Sequence, residues 1–148
     1  MNILPSADEV FVSEAPGSTA SSYQIEEDGD LSVISASVPT HQAAACWLLA
    51  ARDGRFIYTA NAGSGTISGF GVDHDGSLHL LDPSGVIGST GSGSHPTDMV
   101  QSRDGRFLYS LNNGNGTISA FGVGPKGSLH TLMTVSGLPT SSAGLAGR

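Results

Sequence analysis

The residues best suited to chemistry lie in one short run, Ser94-His-Pro-Thr-Asp98. A histidine titrates near neutral pH, and a nearby carboxylate can orient it. His95 with Asp98 therefore reads as a general base able to activate water. His41, in the comparable segment Thr40-His-Gln42, is a third catalytic candidate. Attack of that water on a carbonyl would also need donors for the developing oxyanion. The amides of Asn61 and Asn112 are candidates for that, and Thr97 for a further ligand contact. Each has a plainer reading: an Asp after Pro-Thr is a common hydrogen-bonded turn residue, and each asparagine can bond its own glycine loop.

Other chemistry is thinly represented. The five histidines include no pair at close ligand spacing such as His-x-His or His-x3-His, so no metal is expected. The glycine run of residues 88–94 lacks the Lys-Ser/Thr ending and following helix of a phosphate loop, and no cofactor is expected. Cys46 is the only cysteine, which excludes an internal disulfide. It lies in the apolar run of residues 43–50, where it reads as a small buried hydrophobe and Trp47 as core.

What must position these residues is a repeat. Residues 52–81 and 103–132 match at 20 of 30 positions, at an offset of 51, with Arg-Asp-Gly-Arg-Phe-(Ile/Leu)-Tyr opening both. A weaker copy lies at the start: at an offset of 47, Val10–Ala15 aligns with Ile57–Ala62, Tyr23 with Phe70, Gly29 with Gly76 and Leu31 with Leu78. Each unit reads as four short strands. In the second these are 43–50, 56–60, 66–72 and 78–81, punctuated by Asp-Gly turns; in the third they are 97–102, 107–111, 117–123 and 128–133. The run at 43–50 has the continuous apolar character of a strand buried on both sides. No helical period survives the glycines. Four antiparallel strands per ~45–50 residues is the plan of a propeller blade. The expected fold is all-β, a β-propeller with about three four-stranded antiparallel blades in one domain spanning 1–148. The blades fall near 1–36, 41–82 and 95–134, with the tail 137–148 as a closing strand.

Composition narrows the partners. A net charge of −7, with only six Lys and Arg, excludes the basic footprint that nucleic acid or a polybasic membrane contact requires. The N-terminal residues lack a signal-peptide pattern, and no apolar stretch approaches a membrane span, so the expected location is the cytoplasm.

The motifs quoted above, with Cys46-Trp47, Asn61-x-Gly-x-Gly-Thr-Ile-Ser68, Pro96-Thr-Asp98 and the ending Gly137–Ala146, resemble the lactonase family of seven-bladed propellers. That family includes propeller-type 6-phosphogluconolactonases and carboxymuconate cyclase-like enzymes. The resemblance is to its C-terminal half. It implies hydrolysis or formation of a small organic-acid lactone, with a lactone or sugar acid as ligand. The alternative is a non-catalytic module for ligand binding or self-assembly. Family sites combine His, Glu and Arg side chains around the channel. Here Arg52, Arg55, Arg103 and Arg106 all fall in the Asp-Gly turns, on the rim away from the expected pocket. Three blades leave an incomplete ring with exposed edges. The chain is then part of a longer propeller, a self-associating unit that completes the ring, or an open array. The first unit shows no clear inner strand of its own, and the tail is expected to supply one, to the same ring or to a partner.

Overall fold

The Asp-Gly turns show why the motif repeats. Gly54 and Gly105 hold φ near 72° and 73°, left-handed values that a Cβ would oppose. Their N–H groups donate to Ala51 and Ser102 carbonyls at 3.0 and 2.9 Å. Asp53 and Asp104 accept the backbone N–H of Arg55 and Arg106 two residues on, the local bond that aspartate offers in turns. Each arginine pairs with the same carboxylate and lies over the following phenylalanine. The Asp, the Gly and the second Arg of the motif are thus engaged in holding a hairpin.

A computed structural model describes residues 2–3 and 8–147; the rest of the expected 1–36 unit's start, and Arg148 of the tail, lie outside the described residues. The described residues form strands and turns with no helix. The first blade comprises β1 (Asn2–Ile3), β2 (Glu9–Glu14), β3 (Thr19–Ile25) and β4 (Leu31–Pro39). The second comprises β5 (Ala45–Ala50), β6 (Phe56–Asn61), β7 (Thr66–Val72) and β8 (Leu78–Leu80), with β9 (Gly88–Ser89) pairing the other end of β7. The third comprises β10 (Pro96–Gln101), β11 (Phe107–Asn112), β12 (Thr117–Val123) and β13 (Leu129–Ser136). Neighbouring strands in every blade are antiparallel.

Two expectations are corrected. The first blade has a short inner strand of its own, because β1 pairs β2 at Asn2–Phe11 and Ile3–Val10. The tail forms no strand. It follows a crossing used twice before: Thr40 N–H bonds Ser18 O, Thr90 N–H bonds Gly65 O, and Leu138 N–H bonds Gly116 O, at 2.9, 2.9 and 3.0 Å. The three acceptors occupy equivalent positions and all have positive φ. Beyond that crossing the tail lies against β10, with Gly147 beside Val100.

The core sits between blades. Phe11 and Ala20 of the first pack with Leu48, Ile57, Phe70 and Leu78 of the second. Tyr58 and Ala60 of the second pack with Met99, Leu108 and Phe121 of the third. Each fully buried aromatic contributes roughly 2–3 kcal/mol by leaving water. Gly71 and Gly122 let the His79 and His130 rings lie flat on the backbone across the ladder, where a Cβ would come within 2.3 Å and 2.1 Å of the ring. These histidines are exposed, as their repeated positions suggest.

Candidate functional site

The inner strands of the second and third blades carry an extra residue at the same point. In β5 the register shifts between Ala45 and Trp47, leaving Cys46 unpaired. In β10 it shifts between Pro96 and Asp98, leaving Thr97 unpaired. Such bulges re-aim side chains and are frequent beside functional sites. They overturn the reading of 43–50 as buried on both sides. Cys46 is exposed and Trp47 is 43% exposed. The physical reason is the bulge itself, which turns two successive residues outward where an alternating strand would bury one. A cavity of about 240 Å³ lined by Ser13, Cys46, Trp47 and Leu48 opens there.

Asp98 occupies the position of Trp47 one blade on, yet it is buried, because the tail covers it. Its Oδ1 accepts Met99 N–H at 2.7 Å, and its Oδ2 accepts Leu145 N–H at 2.6 Å. Beside it, Thr97 Oγ1 is buried without a hydrogen-bond partner. The expected His95–Asp98 pair does not form. His95 is exposed at φ 45°, packed over Gly114, and makes no ion pair with Asp98 among the described residues. Its equivalent in the second blade, Ala44, has φ 57°. The repeat therefore uses this residue to swing the chain into the inner strand, and the bulge then separates its side chain from Asp98. His41 is exposed at φ 58°, and among the described residues its imidazole has no hydrogen-bond partner.

Asn61 and Asn112 are fully buried inside their blades. Asn61 Nδ2 donates to Thr66 Oγ1 and Ser68 Oγ at 3.1 and 2.8 Å. Asn112 Nδ2 donates to Thr117 Oγ1 and Ser119 Oγ at 3.0 and 2.9 Å. Both amide hydrogens are engaged, so neither asparagine can serve an oxyanion; they hold the loop between second and third strands. The equivalent residue in the first blade is Glu14. Its carboxylate accepts from Ser21 Oγ at 2.6 Å, from Ser37 Oγ at 2.9 Å and from Thr19 Oγ1. Those hydroxyls, Ser21 first, hold its carboxyl below the ordinary carboxylate range. The offset of 47 places Glu14 on Asn61, so this substitution could have been read from the repeat.

On the opposite face, a cleft of about 280 Å³ opens between second and third blades, lined by Arg52, Phe56, Tyr58, Gln101 and Arg103 among others. The four turn arginines lie on this face, away from both bulges. Burial pushes the Tyr58 phenol up to about 12, with Asp53 adding to the shift. Its hydroxyl donates to Gly127 O of the next blade at 3.2 Å. Among the described residues no three His, Cys, Asp or Glu side chains gather closely enough to hold a metal ion.

A family model described as lactonase, 7-bladed beta-propeller, matches residues 1–99. No curated protein sequence matches the chain. Among solved structures, a functionally unknown protein from Desulfotomaculum acetoxidans is similar at TM-score 0.73 and 20% identity, over 86% of this chain and 38% of its own. The periplasmic gluconolactonase of Pseudomonas aeruginosa gives 0.67 and 21%, over 84% and 37%. A hypothetical selenium-binding protein from Sulfolobus tokodaii gives 0.62 and 16%, over 89% and 39%. At these identities the likeness is one of fold. The chain spans less than two fifths of the length of each.

Proposed function

The chain belongs to the seven-bladed β-propeller lactonase family, and from that membership we propose that it supplies part of a channel-side site for a small organic-acid lactone. The observation that carries this reading is the bulge in β10, which puts the unpaired Thr97 beside Asp98 on the inner strand of the third blade. Asp98 is the one carboxylate in β5 or β10. As a base it would take a proton from water as that water attacks the lactone carbonyl. The ring C–O bond then breaks to give an acid and an alcohol. The unpartnered Thr97 hydroxyl stands beside it as a donor to the ligand. The Leu145 contact must open for a substrate to reach Asp98.

Hydrolysis of gluconolactone, the substrate class named by one structural relative, tests this. Asp98→Asn is expected to lower a catalysed rate by about 10²-fold or more. His95→Ala is expected to leave it unchanged. Truncation after Ser142, which uncovers Asp98, is expected to raise it. No rate above the uncatalysed one, or a rate indifferent to Asp98→Asn, removes the catalytic proposal. A second reading, a non-catalytic ligand-binding module, has one observation in its favour: both Asp98 oxygens already accept backbone N–H groups. Gluconate binding without turnover would select it.

A further inference from the structure

The loop between second and third strands carries, in the third blade, a reactive pair that its sister loops lack. Each blade places a residue with positive φ at the end of this loop: Ser18 at 53°, Gly65 at 67° and Gly116 at 63°. Its carbonyl receives the crossing chain, from Thr40, Thr90 and Leu138 N–H in turn. In the third blade that residue must be glycine, because a Cβ at Gly116 would run into Leu138 O. The residue before it differs from blade to blade: Gly17, Ser64 and Asn115. Only the third blade sets an asparagine ahead of the fixed glycine. Asn115 is exposed, and this is a property of the loop, since Gly17 is exposed and Ser64 partly exposed with a following blade in place.

An asparagine followed by glycine can react with its own backbone, because glycine has no Cβ to block the approach. Two such pairs stand in this loop, Asn113-Gly114 and Asn115-Gly116. The glycine nitrogen is the nucleophile, so the bond its N–H makes decides which pair is free to react. Gly114 N–H is committed to Ser94 O at 2.9 Å. Gly65 N–H, at the same place in the second blade, is committed to Asn61 O at 2.9 Å. Gly116 N–H has no acceptor among the described residues. The Asn115 side chain is prepared as the electrophile. Thr117 Oγ1 donates to Asn115 Oδ1 at 2.7 Å, which polarises the amide carbonyl and would hold the oxyanion formed on it.

We infer that Asn115 is a site of self-modification, at which the Gly116 nitrogen closes on the Asn115 side chain and turns the residue into aspartate or isoaspartate. Gly116 N gives its proton to hydroxide and attacks Cγ. The Cγ–Nδ2 bond breaks, ammonia leaves with a proton taken from water, and a cyclic imide remains. Water then adds to either imide carbonyl and breaks its bond to nitrogen. The balance is one water consumed and one ammonia released, with nothing oxidised or reduced. Breaking the side-chain bond gives aspartate. Breaking the main-chain bond gives isoaspartate and lengthens the backbone by a methylene, immediately before the glycine that receives the crossing. Either product puts a carboxylate into the loop whose Gly114 carries the His95 ring. This inference stands on the loop's own geometry and does not depend on lactone chemistry.

Incubation of the native chain in mildly alkaline buffer tests it, read by peptide mass spectrometry and by labelling of isoaspartate with an isoaspartyl methyltransferase. Asn115 is expected to convert about tenfold faster than Asn113, or more. In urea, which frees both glycine N–H groups, the two should convert at similar rates. Ser64→Asn builds the same pair in the second blade, where the glycine nitrogen is committed, and that pair should stay as slow as Asn113. Asn115→Gln should abolish conversion at that position, with an unchanged strand-rich circular dichroism spectrum. Thr117→Val should slow conversion at Asn115 about tenfold, and Thr117→Ser should restore it. Equal rates at Asn115 and Asn113 in the folded chain, or a Ser64→Asn pair as fast as Asn115, would overturn the inference. A Thr117→Val rate no slower than the native one would remove the hydroxyl from it.

Discussion

Glu14 in the first blade and Asn61 in the second fill the same slot with opposite polarity. In the second blade the amide donates and the hydroxyls of Thr66 and Ser68 accept. Those hydroxyls pass their own protons on, to Gln42 Oε1 at 3.0 Å and to Gly85 O at 2.5 Å. In the first blade the carboxylate accepts, and Thr19 and Ser21 turn around to donate. The third blade follows the second, with Asn112 fully buried. Glu14 is partly open to water. The difference teaches that the blade prescribes a polar knot at the end of its second strand and leaves its direction free. A charge is tolerated only where solvent reaches it.

Substitution can break this comparison. The largest effect is expected from Asn61→Asp, which puts a charge into a closed slot whose hydroxyls are already committed outward. It should cost about 4 kcal/mol at neutral pH. A carboxyl forced into that slot has a raised folded pKa. The variant should therefore be relatively more stable at low pH and lose stability as pH rises, in urea melts at several pH values. Asn61→Ala and Asn112→Ala should each cost about 3 kcal/mol, since they orphan buried hydroxyls. Glu14→Ala should cost about 1 kcal/mol, because water can replace its partners. Equal losses at the three positions would show that burial does not separate the blades.

Smaller effects sharpen it. Glu14 has a lowered folded pKa, so its contribution is present above the unfolded carboxylate value and is lost as pH falls through the folded one. Glu14→Gln should flatten the acid limb of the native melting curve. Glu9, whose carboxyl is raised chiefly by burial, contributes with the opposite sign and serves as the control. Last, Tyr58→Phe removes the bond to Gly127 O and should cost about 1 kcal/mol. Tyr109→Phe, at the open end, should cost almost nothing in a dilute single chain. If Tyr109→Phe proved as costly, the third blade would have to be covered.

The repeat, the strand pattern and the face carrying the arginines were legible because turn chemistry is written in residue type. Asp-Gly requires a left-handed glycine, and that need recurs in every blade. The inner strands were less legible. An apolar run reads the same whether or not a bulge turns Cys46 and Trp47 outward, and burial of Asp98 depends on a tail remote in sequence. The His95–Asp98 spacing suggested a pair because spacing assumes a regular strand, which the extra residue Thr97 interrupts. In the sequence Asn61 and Asn112 read as ligand donors or as loop anchors, and the buried hydroxyls around them decide for anchors. The reversal at Glu14 was available in the aligned repeat but is silent until the partners' geometry is known.

The crossing that ties Thr40, Thr90 and Leu138 to equivalent carbonyls separates blade position from linker content. Four residues, 41–44, follow the tie before β5, and five, 91–95, before β10, yet both strands start in the same register. The linker downstream of the tie consequently varies in length while its last residues stay held, Ala44 N–H by Ser18 Oγ at 2.8 Å and Ser94 O by Gly114 N–H at 2.9 Å. A Cβ added at Gly91 or at Gly93 would meet nothing within 4 Å. A peptide grafted between them should leave the melting temperature of the chain nearly unchanged. It would emerge on the rim beside His95, making this segment the natural place for new specificity to be added without redesigning a blade.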